Sequence, residues 1–472
     1  MSAKAAYTCG MNGYIFAPTI LREYDIRGQV GKNLSSNDAL ALGRAFGTYL
    51  SRSGGKAVCV GMDGRHSSPA LADALIAGLM ESGMDVNFIG LGPSPLLYFS
   101  VKHLKADAGI MVTGSHNPPD YNGFKMTLQD GPVFGDKIQE IGRIAAEGMF
   151  TSGTGRRTEI DLRADYVRRL IQDLRLARPM TIAWDAGNGA SGEVLKMLTH
   201  RIPGTHILLY PEIDGSFPNH HPDPTVDANL EDLQKAVKEN GCALGIAFDG
   251  DGDRIGVVDE NGAVLRCDTL LALYAREVLR NHPGAPIIGD VKCSQILFDE
   301  IARLGGQPVM WKTGHSVIKD KMIEMKAPLA GELSGHIFFA DTYYGYDDAL
   351  YCAVRLLNAL SETDGGLSGL TASLPRLLNT PEVRFEVDEA EKFALVPRVL
   401  ENLKLRKDKG IDLNTLDGIR VTTADGWWLL RPSNTQNVLV ARAESSSAQG
   451  LQRLKDMLIG EVKKIGYTLA FD

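Results

Sequence analysis

The sequence predicts an α/β protein of four units: three similar α/β domains with mixed sheets, then a C-terminal α+β domain, set around a central cleft. Three observations carry this. One pattern of apolar runs and helical stretches recurs three times along the chain. Each recurrence ends in a polar, glycine-containing loop. The tail abandons the pattern for the period-two alternation of paired strands.

The three recurrences open with KAVCVGMDG, MTIAWDAGNG and APIIGDVKCS, each an apolar run that closes in an acidic or glycine-rich turn. Helices are predicted over 69–82, 191–200 and 294–304, with second strands in DVNFIG, THILLY and QPVMW. Another helical stretch then leads to a third strand, in AGIMVTGSHNP, ALGIAFDGDGDR and APLAGELSGH. Parallel strands joined by helices put the loops that follow them at the carboxyl edge of the sheet, where open α/β folds bind ligands. Three such domains can each aim one loop at a shared cleft. In the tail, GIRVTTADGWWLLRPSNTQNVLVARAES reads as antiparallel hairpins turning at Asp425 and Gly426, followed by an amphipathic stretch over 449–464. The units are expected at 1–160, 161–263, 264–375 and 376–472, with seams in 148–155, 259–262 and 363–369.

At 472 residues the chain exceeds a single core, and 44% hydrophobic with 23% charged residues describes a soluble globular protein. A formal charge of −8 argues against capture of nucleic acid or anionic membrane, but leaves room for a local basic pocket and a small anionic substrate. Six cysteines without a CxxC pair make neither a disulfide framework nor a zinc site. No apolar run approaches the roughly 20 residues of a membrane span, and no signal peptide is read. A cytoplasmic monomer without nucleic-acid or membrane partners is expected.

Four loops carry candidate chemistry. In TGSHNPPDYNGFKM, Ser115 stands just past a strand, with His116 and Lys125 near enough in sequence to activate it; the competing reading is ordinary turn chemistry. In DGDGDR, Asp249, Asp251 and Asp253 alternate with glycines. In an extended segment they would point the same way, and converging carboxylates call for a hard cation such as Mg²⁺. With Glu260 they also occupy positions of a calcium-binding EF-hand loop, but Arg254 stands where that loop requires glycine. GELSGH offers Glu332, Ser334 and His336, a set suited to a polyhydroxylated ligand. RPSNTQN offers Arg431, Ser433, Asn434 and Thr435, which suit a phosphate. A fifth loop, GNGASG over 187–192, has the form of a dinucleotide-binding turn and would make the chain a nicotinamide-dependent oxidoreductase.

With LREYDIRG, TGSHNPPDYNGFK, DGDGDR, WKTGHS, GELSGH and RPSNT in this order, nearly the whole chain resembles the α-D-phosphohexomutase family, and within it the bacterial phosphomannomutase/phosphoglucomutase group. The resemblance implies that Ser115 is a phosphoserine and that Asp249, Asp251 and Asp253 hold Mg²⁺ against its phosphate. It assigns Tyr24, His116, Lys292, Glu332 and Ser334 to the substrate, and Arg431, Ser433, Asn434 and Thr435 to its non-reacting phosphate. Lys125, His336, Arg27 and His315 become candidates for proton transfer, and Arg254 helps offset charge. The implied activity interconverts hexose 1-phosphate and hexose 6-phosphate of mannose or glucose, with a hexose 1,6-bisphosphate as intermediate and activator. GExSGH is also similar to the phosphoglucosamine mutases, so amino-sugar activity is the alternative within the family.

Overall fold

The structure is a computed structural model and describes residues 13–388, 390–405, 410–434 and 436–471. The first sheet contains β1 (Ile26–Gln29), β2 (Ala57–Met62), β3 (Asp85–Leu91), β4 (Ala108–Val112), β5 (Tyr121–Leu128), β6 (Gly131–Pro132) and β7 (Arg157–Glu159). Their order is β1-β5-β4-β2-β3-β7, with β6 on β5. The second contains β8 (Met180–Asp185), β9 (Gly204–Leu209), β10 (Leu244–Phe248), β11 (Ile255–Asp259) and β12 (Val264–Leu265), in the order β12-β11-β10-β8-β9. The third, β14-β13-β15-β16, is built from β13 (Pro286–Asp290), β14 (Gln307–Trp311), β15 (Leu329–Gly331) and β16 (Ile337–Phe339).

The repeat is visible in the pairing. In each sheet the first strand of the recurrence lies between the second and third, all parallel. The chain then doubles back on the third strand as an antiparallel partner: β5 on β4, β11 on β10 and β16 on β15. This return makes the sheets mixed and confines each functional loop to a tight reversal at the carboxyl edge.

The fourth sheet comprises β17 (Leu378–Asn379), β18 (Val383–Glu386), β19 (Asp412–Asn414), β20 (Ile419–Thr423), β21 (Gly426–Pro432) and β22 (Val438–Ser445). All its pairings are antiparallel, in the order β17-β22-β21-β20-β19 with β18 on β22. Helix Ala448–Lys464 covers this sheet with Leu454, Leu458 and Val462, buried at the i, i+4, i+8 spacing of one helix face.

Two large cores serve the first three sheets, with smaller clusters around Leu233 on the second and Ile318 on the third. One lies beneath helices Ser36–Arg52, Ser68–Glu81 and Asp136–Glu147 on one face of the first sheet. The other runs continuously from helix Ser94–Leu104 through the second and third units. At its centre, helix Ala349–Ser361 is buried on nearly every side, its first turn capped by Asp348, which accepts from the Tyr351 N–H at 2.9 Å. The fourth unit has a separate core under Trp428 and Leu430. Cys59, Cys242, Cys267, Cys293 and Cys352 are buried and free, while Cys9 lies outside the described residues. Among the described residues no helix is long and apolar enough to cross a membrane.

Candidate active site

Ser115 sits just past β4 with a backbone φ of +49°, a left-handed conformation that a non-glycine residue keeps only where its surroundings hold it. Its N–H donates to Thr113 Oγ1 at 2.8 Å, and its carbonyl accepts from Arg65 at 2.7 Å. The same guanidinium, almost fully buried, reaches the carbonyls of Asn117 (2.6 Å), Pro118 (2.5 Å) and Tyr121 (3.0 Å). Asp63 completes the cradle by accepting from Arg65, from Thr113 Oγ1 at 2.9 Å and from the Gly114 N–H at 3.0 Å. Held this way, Ser115 Oγ donates to Asp249 Oδ2 at 3.0 Å and lies 3.2 Å from His116 Nδ1. Burial, with Arg254 and Arg27 alongside, pushes His116 well below the usual imidazole range. Arg27 projects from β1, donates to the Gly114 carbonyl at 2.8 Å and pairs with Asp25, and its buried Nε has no partner.

Asp249, Asp251 and Asp253 are fully buried, with donor oxygens within 4.8 Å of one another. The convergence does not come from extended alternation. The segment is a tight turn in which Gly252 takes φ +73°, and a Cβ there would press against Pro93 and Ser191. Lys125, from β5, donates to Asp251 at 2.7 Å and to Asp253 at 2.5 Å. Burial and mutual repulsion push Asp249 and Asp253 upward, whereas Lys125 outweighs burial at Asp251 and holds it below the usual carboxylate range. Asp251 Oδ1 and Asp253 Oδ1 have no hydrogen-bond partner. Two orphaned oxygens in a buried, like-charged oxygen cluster fit a hard divalent cation.

Next to this cluster, Arg254 Nε donates to His336 Nε2 at 2.9 Å, and His336 Nδ1 lies 2.9 Å from Asp347 Oδ2. His336 stacks on His315, with centroids 5.3 Å apart, and Lys319 donates to the other Asp347 oxygen at 2.9 Å. Burial, reinforced by Lys319, pushes His315 well below its usual range.

The opposite wall is built from three units. Glu332 accepts from the Gly314 N–H and, at 2.8 Å, from Ser334 Oγ. Gly314 has φ +138°, and a Cβ there would come within 2.5 Å of the Tyr24 ring. Tyr24, from the first unit, donates to the Thr313 carbonyl at 2.6 Å and accepts from Asn434 of the fourth. Arg431 is buried on β21 and donates to Asp417 at 3.0 Å, and the same oxygen accepts from the Thr313 N–H at 3.0 Å. Ser433 is buried beside it, with its hydroxyl accepting from the Gln436 N–H at 3.1 Å; Thr435 lies outside the described residues. Lys292 is 3.2 Å from Glu382 and 3.8 Å from Asp290. Arg420 fastens the fourth unit to this segment through the carbonyls of Val291 (2.7 Å) and Cys293 (2.8 Å), its guanidinium 3.7 Å from the Trp427 ring centre.

Four family models match in order: phosphoglucomutase/phosphomannomutase alpha/beta/alpha domain I over 18–152, domain II over 164–262, domain III over 266–377 and the C-terminal domain over 382–461. A phosphomannomutase/phosphoglucomutase of Pseudomonas putida is 43% identical over 448 residues, covering 95% of this chain and 96% of that protein. The chain belongs to the phosphoglucomutase/phosphomannomutase family. A Neisseria meningitidis phosphoglucomutase is 40% identical over 444 residues, covering 93% of this chain and 96% of the relative. The crystal structure of a Burkholderia thailandensis member of the family superposes with a TM-score of 0.91 at 41% identity, over 97% of this chain and all of that one.

Within this family fold, the GNGASG turn is a structural support for the acidic loop. The Ala190 N–H donates to the Gly250 carbonyl at 2.9 Å, and a Cβ on Gly192 would lie 2.0 Å from the Pro211 carbonyl oxygen. The turn thereby packs closely against its neighbours. Arg65, Asp63, Asp347 and Asp417 are the polar groups that motif reading passed over. Asp63 and Arg65 were within reach, since DGR follows the first strand of the first recurrence at the same sheet edge as the serine loop. Asp347 and Asp417 stand in stretches without any periodic signal.

Proposed function

We propose that the chain is a magnesium-dependent phosphohexomutase that interconverts hexose 1-phosphate and hexose 6-phosphate, of mannose, glucose or both. The observation that carries this is the 3.0 Å contact of Ser115 Oγ with a buried aspartate triplet that has two unpaired oxygens. Mg²⁺ held by Asp249, Asp251 and Asp253 would neutralise a phosphate on Ser115. The chain's own groups do the rest. Arg27 Nε and Arg254 offer cationic donors to phosphate oxygens, and Lys125, held as an ammonium by two carboxylates, balances charge. His336 is the strongest candidate base: its Nε2 is an acceptor towards Arg254, and the Asp347 carboxylate lies 2.9 Å from its Nδ1.

In the first transfer the bond from phosphorus to Ser115 Oγ breaks, a bond from phosphorus to a sugar hydroxyl forms, and the hydroxyl proton passes to the base. This gives a hexose 1,6-bisphosphate. After the sugar turns end for end, the other phosphoryl group returns to Ser115 and the proton to the hydroxyl left behind. Both ends therefore visit Arg431, Ser433 and Asn434 in turn, with Tyr24, Lys292, Glu332 and Ser334 against the sugar. Phosphorylated hexose substrates favour a cytoplasmic location, and a monomer is the assembly we propose.

Incubation with mannose 1-phosphate or glucose 1-phosphate, Mg²⁺ and a trace of hexose 1,6-bisphosphate should yield the 6-phosphate. Ser115→Ala should abolish both the product and the one-phosphate excess in intact mass. Folded protein that makes no product from either sugar defeats the reading.

A further inference from the structure

A cavity of about 450 Å³ lies in the seam between the first and third units, outside the groups assigned above to the reaction. Its walls are apolar, formed by Tyr98 and Val101 of helix Ser94–Leu104, Leu128 at the end of β5, and Met322 and Ile323 of helix His315–Met325. Its charged lining is one-sided: Lys102, Lys319 and Lys326 face a single acid, Asp130, with the imidazole of His282 among them. On a chain of net charge −8 this is a local reversal of sign. Neither Lys102 nor Lys326 has an ion-pair partner among the described residues. Ile323 is 56% and Tyr344 39% exposed at the rim, large apolar surface that a single chain leaves in water. A pocket of this size with mostly apolar walls and a few converging cations has the form of a small-molecule site.

The cavity is tied to the reaction centre. Lys319 lines it, with its ammonium 4.6 Å from the centre of the Tyr98 ring, and donates at 2.9 Å to Asp347, whose other oxygen is 2.9 Å from His336 Nδ1. The helix that carries Lys319, Met322 and Ile323 begins with His315, which stacks on His336. Lys319 thus touches both the cavity and the carboxylate that lies beside His336.

We propose that this cavity is a regulatory site for a small amphipathic monoanion, an apolar body bearing one carboxylate, whose binding slows phosphoryl transfer through Lys319 and Asp347. The regulatory half rests on the mutase reading; the binding half does not. The test is calorimetric titration of the full chain with sodium 2-naphthoate, with the neutral 2-naphthamide as control. Saturable binding of the carboxylate is expected, unaffected by saturating glucose 1-phosphate and weakened roughly tenfold or more by Lys326→Glu. Ile323→Trp, also at an exposed position, should block the cavity. In the mutase assay saturating naphthoate should lower kcat roughly fivefold without changing KM, in the range of ordinary coupling between sites. Absence of saturable heat, equal binding of the amide, competition by glucose 1-phosphate or indifference to both variants overturns the site. An unchanged kcat at saturation overturns the regulation. A folded chain with no mutase activity refutes the proposed function and the regulation, while the binding half is decided by calorimetry alone.

Discussion

Replacing Lys125 by methionine isolates the electrostatics on which the site depends. Lys125 donates to Asp251 and Asp253, both fully buried, so its ammonium offsets part of the negative charge that the triplet gathers and leaves the rest for a divalent cation. The methionine variant has a similar unbranched chain and removes that ammonium from the same volume. Removing one partner from a buried ion pair costs about 3–5 kcal/mol, and a cation at one hundred times its dissociation constant returns about 2.7 kcal/mol to whichever form binds it. In EDTA the variant should therefore melt about 3–5 °C below the parent in a calorimetric scan. Saturating MgCl₂ should narrow that gap, because the cation relieves more repulsion in the variant than in the parent. An equal gap in EDTA and in MgCl₂ would refute the argument and reduce Lys125 to a packing residue.

Other outcomes follow from the same geometry. Arg65→Lys cannot span the four carbonyls of the serine loop, so kcat should fall about 100-fold with KM little changed; steady-state kinetics within a few-fold of the parent would disprove the cradle. Burial works against ionisation of Glu382, but Lys292 and Arg384 outweigh it and hold the group at about 2, below its ordinary 4.5. Its contribution, about 3 kcal/mol, is complete above pH 4.5 and is lost as pH falls towards 2, so the stability gap between parent and Glu382→Gln should close on acidification. A gap of constant size from pH 6 to pH 3 would count against that ion pair. Trp427→Ala removes a ring packed with Val291 and Leu429 under Arg420, at a cost of about 3–5 kcal/mol. The fourth unit should then dock less firmly, seen as a larger radius of gyration in small-angle scattering and a higher KM; unchanged scattering would mean that the seam is held elsewhere.

The strands of the threefold pattern were legible because buried parallel strands are near-continuous apolar runs, and their ends are marked by glycine and aspartate. KAVCVGMDG, MTIAWDAGNG and APIIGDVKCS became β2, β8 and β13, each flanked by the two parallel partners that the order of elements required. Glu332 shows what lay beyond reach. Its carboxylate accepts from the Gly314 N–H as well as from nearby Ser334, and the contact with Gly314 is a tertiary arrangement that no local spacing encodes. The acidic turn was right in its residues and wrong in its backbone: alternation suggested extension, whereas a left-handed glycine brings the same three carboxylates together. Asp347 lies beside His336, which stands just ahead of β16, and accepts from Lys319 within helix His315–Met325, and a linear reading cannot register their approach.

The continuous apolar interior that joins helix Ser94–Leu104 to the second and third sheets has a consequence for how this chain can be divided. A cut near residue 259 would tear that interior open and leave two sticky fragments, whereas a cut near residue 376, ahead of β17, would pass between bodies that each keep a core of their own. Severability is thus concentrated at one place, and the piece that can be detached there is the one bearing Arg431.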